Sequence, residues 1–137
     1  MIRPATSADL PNLIDKGREF FNRTHWRDVA EFDDVSFEDT LKALIESDAG
    51  IVLTDGQSMA ALIVAPLFTN RRVNYATELF WYGGGLPMLK AMEDAARQKG
   101  AAVLVMLNID GLRSDAVARL YRMQGYRRSE SSFVKRL

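Results

Sequence analysis

Two stretches of the chain carry residue types that could do chemistry. In ELFWYGGGLPMLK, residues 78–90, a carboxylate opens an apolar, aromatic run that ends on three glycines and a proline. A strand that turns through Gly83, Gly84 and Gly85 into a helix leaves backbone N–H groups free at the helix start, an arrangement that binds anions. The same glycines also serve as a tight turn with no ligand, and the sequence leaves both readings open. Glu78 stands between Thr77 and Leu79, with Phe80 and Trp81 following. Desolvation in so apolar a run raises a carboxylate's pKa toward that of a useful general base. The competing reading is a strand residue that reaches solvent or pairs with an arginine. In LYRMQGY, residues 120–126, Tyr121 is a phenol that stays protonated at neutral pH and can donate a proton or a hydrogen bond. With Val117 and Leu120 beside it, it also reads as a core tyrosine. Trp81 and Tyr82 could close a site or stack on a ligand, although aromatics at strand ends more often belong to a core. His25, in THWRD, is the only histidine and could be a substrate-side base, although a lone loop histidine is more often incidental.

These residues need elements to hold them. Met1 to Arg3 can start a short strand. Thr6 with Asp9 gives a capping-box signal ahead of Leu10, Leu13, Ile14, Gly17 and Phe21 at helical spacing. Residues 23–35 show no period and read as a loop. Ser36 with Asp39 caps a second helix along Phe37, Leu41, Leu44 and Ile45. Residues 51–54, 59–67 and 73–82 then read as three antiparallel strands, with Asp55-Gly56 as the first turn and Asn70-Arg71-Arg72 as the second. Leu89, Met92, Ala95 and Ala96 mark a third helix, with Pro87 in its first turn and Gly100 past its end. Residues 102–107 read as a buried strand, parallel to 73–82. Ser114 caps a fourth helix that stops at Gly125, and SSFVKRL reads as a last strand. The order is β-α-α-β-β-β-α-β-α-β, a mixed α/β sheet with helices on its faces. A ligand is expected at the C-terminal end of the 73–82 strand, where the glycines lie.

Composition sets the limits. The chain has 137 residues, 47% hydrophobic and 26% charged, the profile of one ordinary globular domain over 1–137. With no cysteine, a disulfide, a thiolate metal site and a cysteine nucleophile are excluded. One histidine excludes a histidine-rich metal site, and no metal is expected. No apolar run approaches the ~20 residues of a membrane span, and the N-terminus lacks a signal-peptide pattern, so a cytoplasmic setting is expected. Formal net charge is zero, which speaks against nucleic acid as a partner. The charge is uneven: residues 24–48 are acidic and residues 113–137 basic. Two solvated faces that attract each other is one reading; an acidic lip for a cationic substrate and a basic one for an anionic cosubstrate is the other.

This order of elements, with these local motifs, resembles the GNAT superfamily of acyl-CoA-dependent N-acyltransferases. IRPATSADLPNLIDKGREFF is similar to the family's first strand and helix. TELFW, the glycine turn and a helix ending in ARQKGA are similar to its cosubstrate-binding core. ARLYRMQGYRRSESSFVKRL is similar to its closing helix and strand, and the details around ELFW and FVK look most like phage and prophage versions. The resemblance implies acetyl-CoA as cosubstrate, lying between two splayed parallel strands with its pyrophosphate on the amides of the glycine turn. It implies binding roles for Leu79, Phe80, Trp81, Gly83, Gly84 and Gly85, with Gly83 and Gly85 in the Gly-x-Gly places. It implies Glu78 as general base and Tyr121 as the acid that serves the departing sulfur. The acceptor would be a small-molecule or protein amine that attacks the thioester directly, without a covalent enzyme intermediate. The sequence departs from the family in one respect. Seven positions separate Glu78 from Gly85, and Phe80 falls where the family has an Arg or Gln, so the pyrophosphate loop is short and lacks its cation. Arg97, Arg119 and Arg122 are the basic residues that could replace it. That departure supports the alternative, a non-catalytic phage or prophage protein with a structural or interaction role, associated with a virion. A homodimer paired through an exposed strand edge is a further expectation.

Overall fold

A computed structural model describes residues 1–137. It contains β1 (Arg3–Pro4), α1 (Leu10–Phe21), α2 (Asp34–Glu46), β2 (Gly50–Thr54), β3 (Met59–Leu67), β4 (Asn70–Tyr82), α3 (Gly85–Gln98), β5 (Ala101–Val105) and α4 (Ser114–Met123). Single 3-10 turns at Ser7–Asp9 and His25–Asp28 precede and follow α1. The five strands form one sheet in the order β1-β2-β3-β4-β5. The first three pairings are antiparallel and β4 with β5 is parallel, as a β-α-β crossover through α3 requires.

Local chemistry accounts for most of these boundaries. The Asp9 carboxylate accepts from the Thr6 amide at 2.8 Å and is held by a two-pronged bond from Arg3, which ties β1 to the start of α1. In the first hairpin, Asp55 accepts from the amides of Gln57 and Ser58, and Gly56 takes a positive φ. Four boundaries differ from the sequence reading. Helix α2 starts at Asp34, because the Asp33 side chain accepts from the Val35 amide and takes the cap position expected of Ser36. The second hairpin turns on Phe68 and Thr69, since Leu67 pairs with Asn70 and pulls residues 70–72 into the strand. Arg113, at φ 54°, occupies the N-cap of α4, and Ser114 is the first helical residue. The strand expected at SSFVKRL does not form: no residue after Met123 lies in a helix or strand. The segment carries Phe133, Val134 and Leu137, but it pairs with no strand and leaves all three exposed, so nothing offsets the entropy of ordering it. For the same reason β5 is an edge strand, and Ala102 and Val103 are exposed where a buried strand was expected.

The sheet separates two cores. On one face α1 and α2 pack Leu10, Leu13, Leu41 and Leu44 against Val52, Met59, Ala61 and Phe80. On the other, α3 packs Met88, Leu89, Met92 and Ala96 against Ile51, Leu53, Leu62 and Ala76, and Tyr121 of α4 joins them. Each fully buried Leu or Met contributes roughly 1.5–3 kcal/mol over its exposed state. Two glycines allow close approach on the first face. A Cβ at Gly17 would lie 2.2 Å from the Phe37 ring, and one at Gly50 would lie 2.1 Å from the Leu44 carbonyl oxygen. The ring can turn aside; the carbonyl is fixed by helix α2. Gly50→Ala is therefore expected to lower stability by about 2 kcal/mol or more, and Gly17→Ala by less, because alanine recovers up to about 1 kcal/mol of helix propensity. Urea unfolding of the two variants beside the parent checks the order.

Candidate active site

The site forms where β4 and β5 part. Their ladder ends at Thr77 opposite Val105, yet β4 runs on to Tyr82. Glu78 is the first residue of β4 beyond the ladder. Its carboxylate reaches across the gap and accepts from the Leu107 amide at 2.8 Å. The Tyr121 hydroxyl, from α4, donates to the Leu107 carbonyl at 2.6 Å. Two side chains thus satisfy the peptide groups of Leu107 once the strand can no longer do so.

A bulge in β4 decides what faces this gap. Ala61 pairs with Phe80 and Leu62 with Glu78, so Leu79 has no partner in the register. The extra residue reverses the alternation of side chains. Glu78 and Trp81 both face α3 and α4, and Phe80 packs on the other side against Phe37, with ring centroids 5.6 Å apart. Phe80 is thereby turned away from the gap, and Leu79 is partly exposed at the bulge. Tyr82 also lies on the α1 face, where its hydroxyl donates to Glu19 at 2.6 Å.

Glu78 is 5% exposed and belongs to no ion pair, so neither solvent nor an arginine takes up its charge. Burial is the dominant influence and pushes its pKa up to about 7, with the Leu107 amide and the Tyr121 hydroxyl pulling the other way. Burial, and then the nearby Glu78 charge, push the Tyr121 phenol well above its usual range. Trp81 packs against Tyr121 with centroids 6.2 Å apart, and its indole N–H donates to the Gly83 carbonyl at 2.6 Å. Glu78, Trp81, Leu107 and Tyr121 line a cleft of about 40 Å³. A larger cleft of about 250 Å³, beside β5 and the end of α4, shares none of these residues.

The glycine turn adjoins this cleft. Gly83 and Gly84 are the whole connection between β4 and α3. Gly83, Gly84 and Gly85 take φ of 84°, 78° and 49°, which side-chain-bearing residues adopt only under strain. Packing explains two of them. A Cβ on Gly83 would lie 3.0 Å from the Ser58 hydroxyl, and one on Gly84 would lie 2.8 Å from Met88. Around Gly85 there is open space. The amides of Gly83, Gly84, Gly85 and Leu86 have no acceptor within the protein, and Pro87 has no amide hydrogen. The first helical amide with a partner is Met88, bonded to the Gly84 carbonyl at 3.2 Å. The turn is therefore both tight and rich in free donors, and these donors fit an anion approaching from the side of Gly85. No basic side chain stands in the first turn of α3. Arg97 lies in the last turn, about 18 Å along the axis, and pairs with Glu93 and Asp94.

The sequence singled out Glu78, Trp81, Tyr121 and the glycines, and the fold gathers them at one end of β4. It gave no sign of the Leu107 peptide or of Ser58 behind the turn, because a backbone group has no residue-type signature and Ser58 meets the glycines through a hairpin. His25 sits in an exposed turn with its ring 4.5 Å from Trp26. Of the acidic stretch, Asp34 pairs with Arg18 and Glu38 with Lys42, and the guanidinium of Arg136 donates to the Asp28 carbonyl, so the acidic and basic segments do meet.

No protein-family model matches the sequence, and no curated protein matches it. Solved structures do resemble the fold. A transcriptional regulator from Bacillus halodurans C-125 aligns with TM-score 0.74 at 18% identity over 100% of this chain and 99% of its own. A ribosomal-protein-alanine N-acetyltransferase from Brucella melitensis aligns with TM-score 0.66 at 15% identity over 100% of this chain and 98% of its own. An aminoglycoside 6'-N-acetyltransferase from Acinetobacter haemolyticus aligns with TM-score 0.63 at 15% identity over 100% and 99%. The chain has the GNAT-like fold that the resemblance implied, without the last strand expected at SSFVKRL. No helix is long and apolar enough to cross a membrane.

The raised pKa of Glu78 links to stability. The folded protein holds this proton more tightly than the unfolded chain, so the neutral carboxyl stabilises the fold below pH 4.5, and that contribution is lost as pH rises through about 7. Glu78→Gln is expected to match the parent near pH 4 and to exceed it at pH 8 by up to about 3 kcal/mol. Denaturant unfolding at the two pH values measures the difference.

Proposed function

We propose that this protein is an N-acetyltransferase that moves an acetyl group from acetyl-CoA to an amine. The observation that carries the reading is the buried Glu78 carboxyl at the parting of β4 and β5, beside a turn of free amides. Acetyl-CoA supplies an acyl carbon already activated as a thioester. The amides from Gly83 to Leu86 bind its diphosphate with backbone donors alone, and open space at Gly85 gives the approach. The gap lined by Glu78, Trp81 and Tyr121 receives the acyl end; at about 40 Å³ it takes a thioester only if the Trp81 ring gives way.

Glu78 takes the proton from the incoming ammonium, directly or through a water. A base with pKa near 7 is matched to that task at neutral pH, and such a transfer contributes typically ~10² to 10⁴ in rate. Tyr121 serves the sulfur. Its ionisation is pushed up, so full proton transfer to a thiolate runs uphill, and donation of a hydrogen bond that can swing from the Leu107 carbonyl is the better use of the hydroxyl. The chain has no cysteine to carry an acyl group, which favours direct attack. The acidic residues between 24 and 39 favour a cationic acceptor in a cytoplasmic setting.

Calorimetry with acetyl-CoA should give submillimolar affinity, weakened tenfold or more by Gly85→Leu. Turnover is read by thiol release over a panel of polyamines, amino sugars and peptides with free N-termini. Since the protein has no thiol, every thiol detected comes from the cosubstrate. Glu78→Gln is expected to lower kcat by about 10² to 10⁴ and to remove the rise of kcat/KM through pH 7. Tyr121→Phe should lower kcat more than it weakens binding. Absence of binding, or full turnover in Glu78→Gln, would remove the enzyme reading and leave an interaction module.

A further inference from the structure

The cleft at Glu78 is small, and one side chain makes it so. Its volume, about 40 Å³, is little more than the ~30 Å³ that a single water takes up in the liquid. The polar side chains in its walls are already engaged. The Glu78 carboxylate accepts from the Leu107 amide, and the Asn108 side chain donates to the Ser114 carbonyl. Leu112 and Val117 add apolar surface. Such a lining suits an uncharged acyl chain and disfavours one that ends in a carboxylate.

Trp81 is the bulkiest wall, and it is held from three directions. Its backbone pairs with Ala60 of β3, so the strand beneath it is fixed. Its indole N–H donates to the Gly83 carbonyl at 2.6 Å. Its ring rests on Tyr121, whose hydroxyl is bound to the Leu107 carbonyl. A ring tethered in this way can tilt enough to admit a small group and keep its hydrogen bond. A longer chain requires the ring to leave the Gly83 carbonyl, and the contact with Tyr121 is lost with it. Resting on the acetyl-transfer reading above, we infer that Trp81 sets the length of the acyl group: tied to Gly83, its ring lets the cleft take acetyl and turns away butanoyl and longer chains. The glycine turn and the acyl cleft are then linked through one indole, and the selectivity belongs to the tether as well as to the bulk of the ring.

The test measures kcat/KM for acetyl-, propanoyl- and butanoyl-CoA with one amine acceptor, beside calorimetric affinities for the same thioesters and for CoA. In the parent, kcat/KM should fall by about tenfold or more with each added methylene. Trp81→Ala should reverse the order and favour butanoyl over acetyl by about tenfold. Trp81→Phe keeps a ring but has no N–H to tether it, and its butanoyl-to-acetyl ratio should lie between those of the parent and Trp81→Ala. Each ratio is taken within one variant, so a general loss of activity does not disturb it, and the affinities carry the same comparison if no acceptor turns over. Equal use of acetyl- and butanoyl-CoA by the parent overturns the inference, as does a parent-like order in both variants. A protein that binds CoA and acetyl-CoA without any order by chain length loses this inference alone. One that binds neither loses the acetyl-transfer reading, and this inference with it.

Discussion

The parting of β4 from β5 is the constraint on which the rest of the site depends. Two parallel strands that separate must find new partners for their peptide groups or surrender them to water. Here the Glu78 carboxylate and the Tyr121 hydroxyl take the two groups of Leu107. That places an ionisable group where burial, and no cation, governs its charge. The same burial that makes ionising it costly in the folded state brings its pKa to about 7, the range that the proposed base role would use.

The bulge at Leu79 and the glycine turn act on this gap from one side. The bulge sends Phe80 into the α1 and α2 core and turns Trp81 toward Tyr121. Trp81 then bonds to the Gly83 carbonyl, so one ring supports both the wall of the cleft and the turn that exposes free amides. Gly83 and Gly84 are required by the backbone and by the close approach of Ser58 and Met88, whatever binds there; Gly85 is required by its φ alone, with open space around it. The two readings of the glycines are compatible: the same turn is tight on its inner side and open on its outer side.

The two ends of β5 contrast. At its C-terminal end the sheet opens and is closed by side chains. Along its outer edge the sheet stops, with Val103 exposed.

Much of this was legible in the residues. The period of 3.6 located all four helices, and short apolar runs between turn signals located β2 to β5, because those spacings and lengths are written in the chain. Glycines next to a proline marked the turn, since few residues take positive φ. A carboxylate inside ELFW marked a buried group with a raised pKa, since desolvation follows from its neighbours. The errors have one origin. SSFVKRL was read as a strand from its own residues, but a strand exists only where a partner and a buried face are supplied, and Phe133, Val134 and Leu137 find neither. The face chosen by Phe80, the peptide of Leu107 and the exposure of Val103 depend on register, on a bulge and on which strand is last. Those are relations between segments distant in sequence, fixed by hydrogen-bond pairing and packing, and only the folded chain decides them.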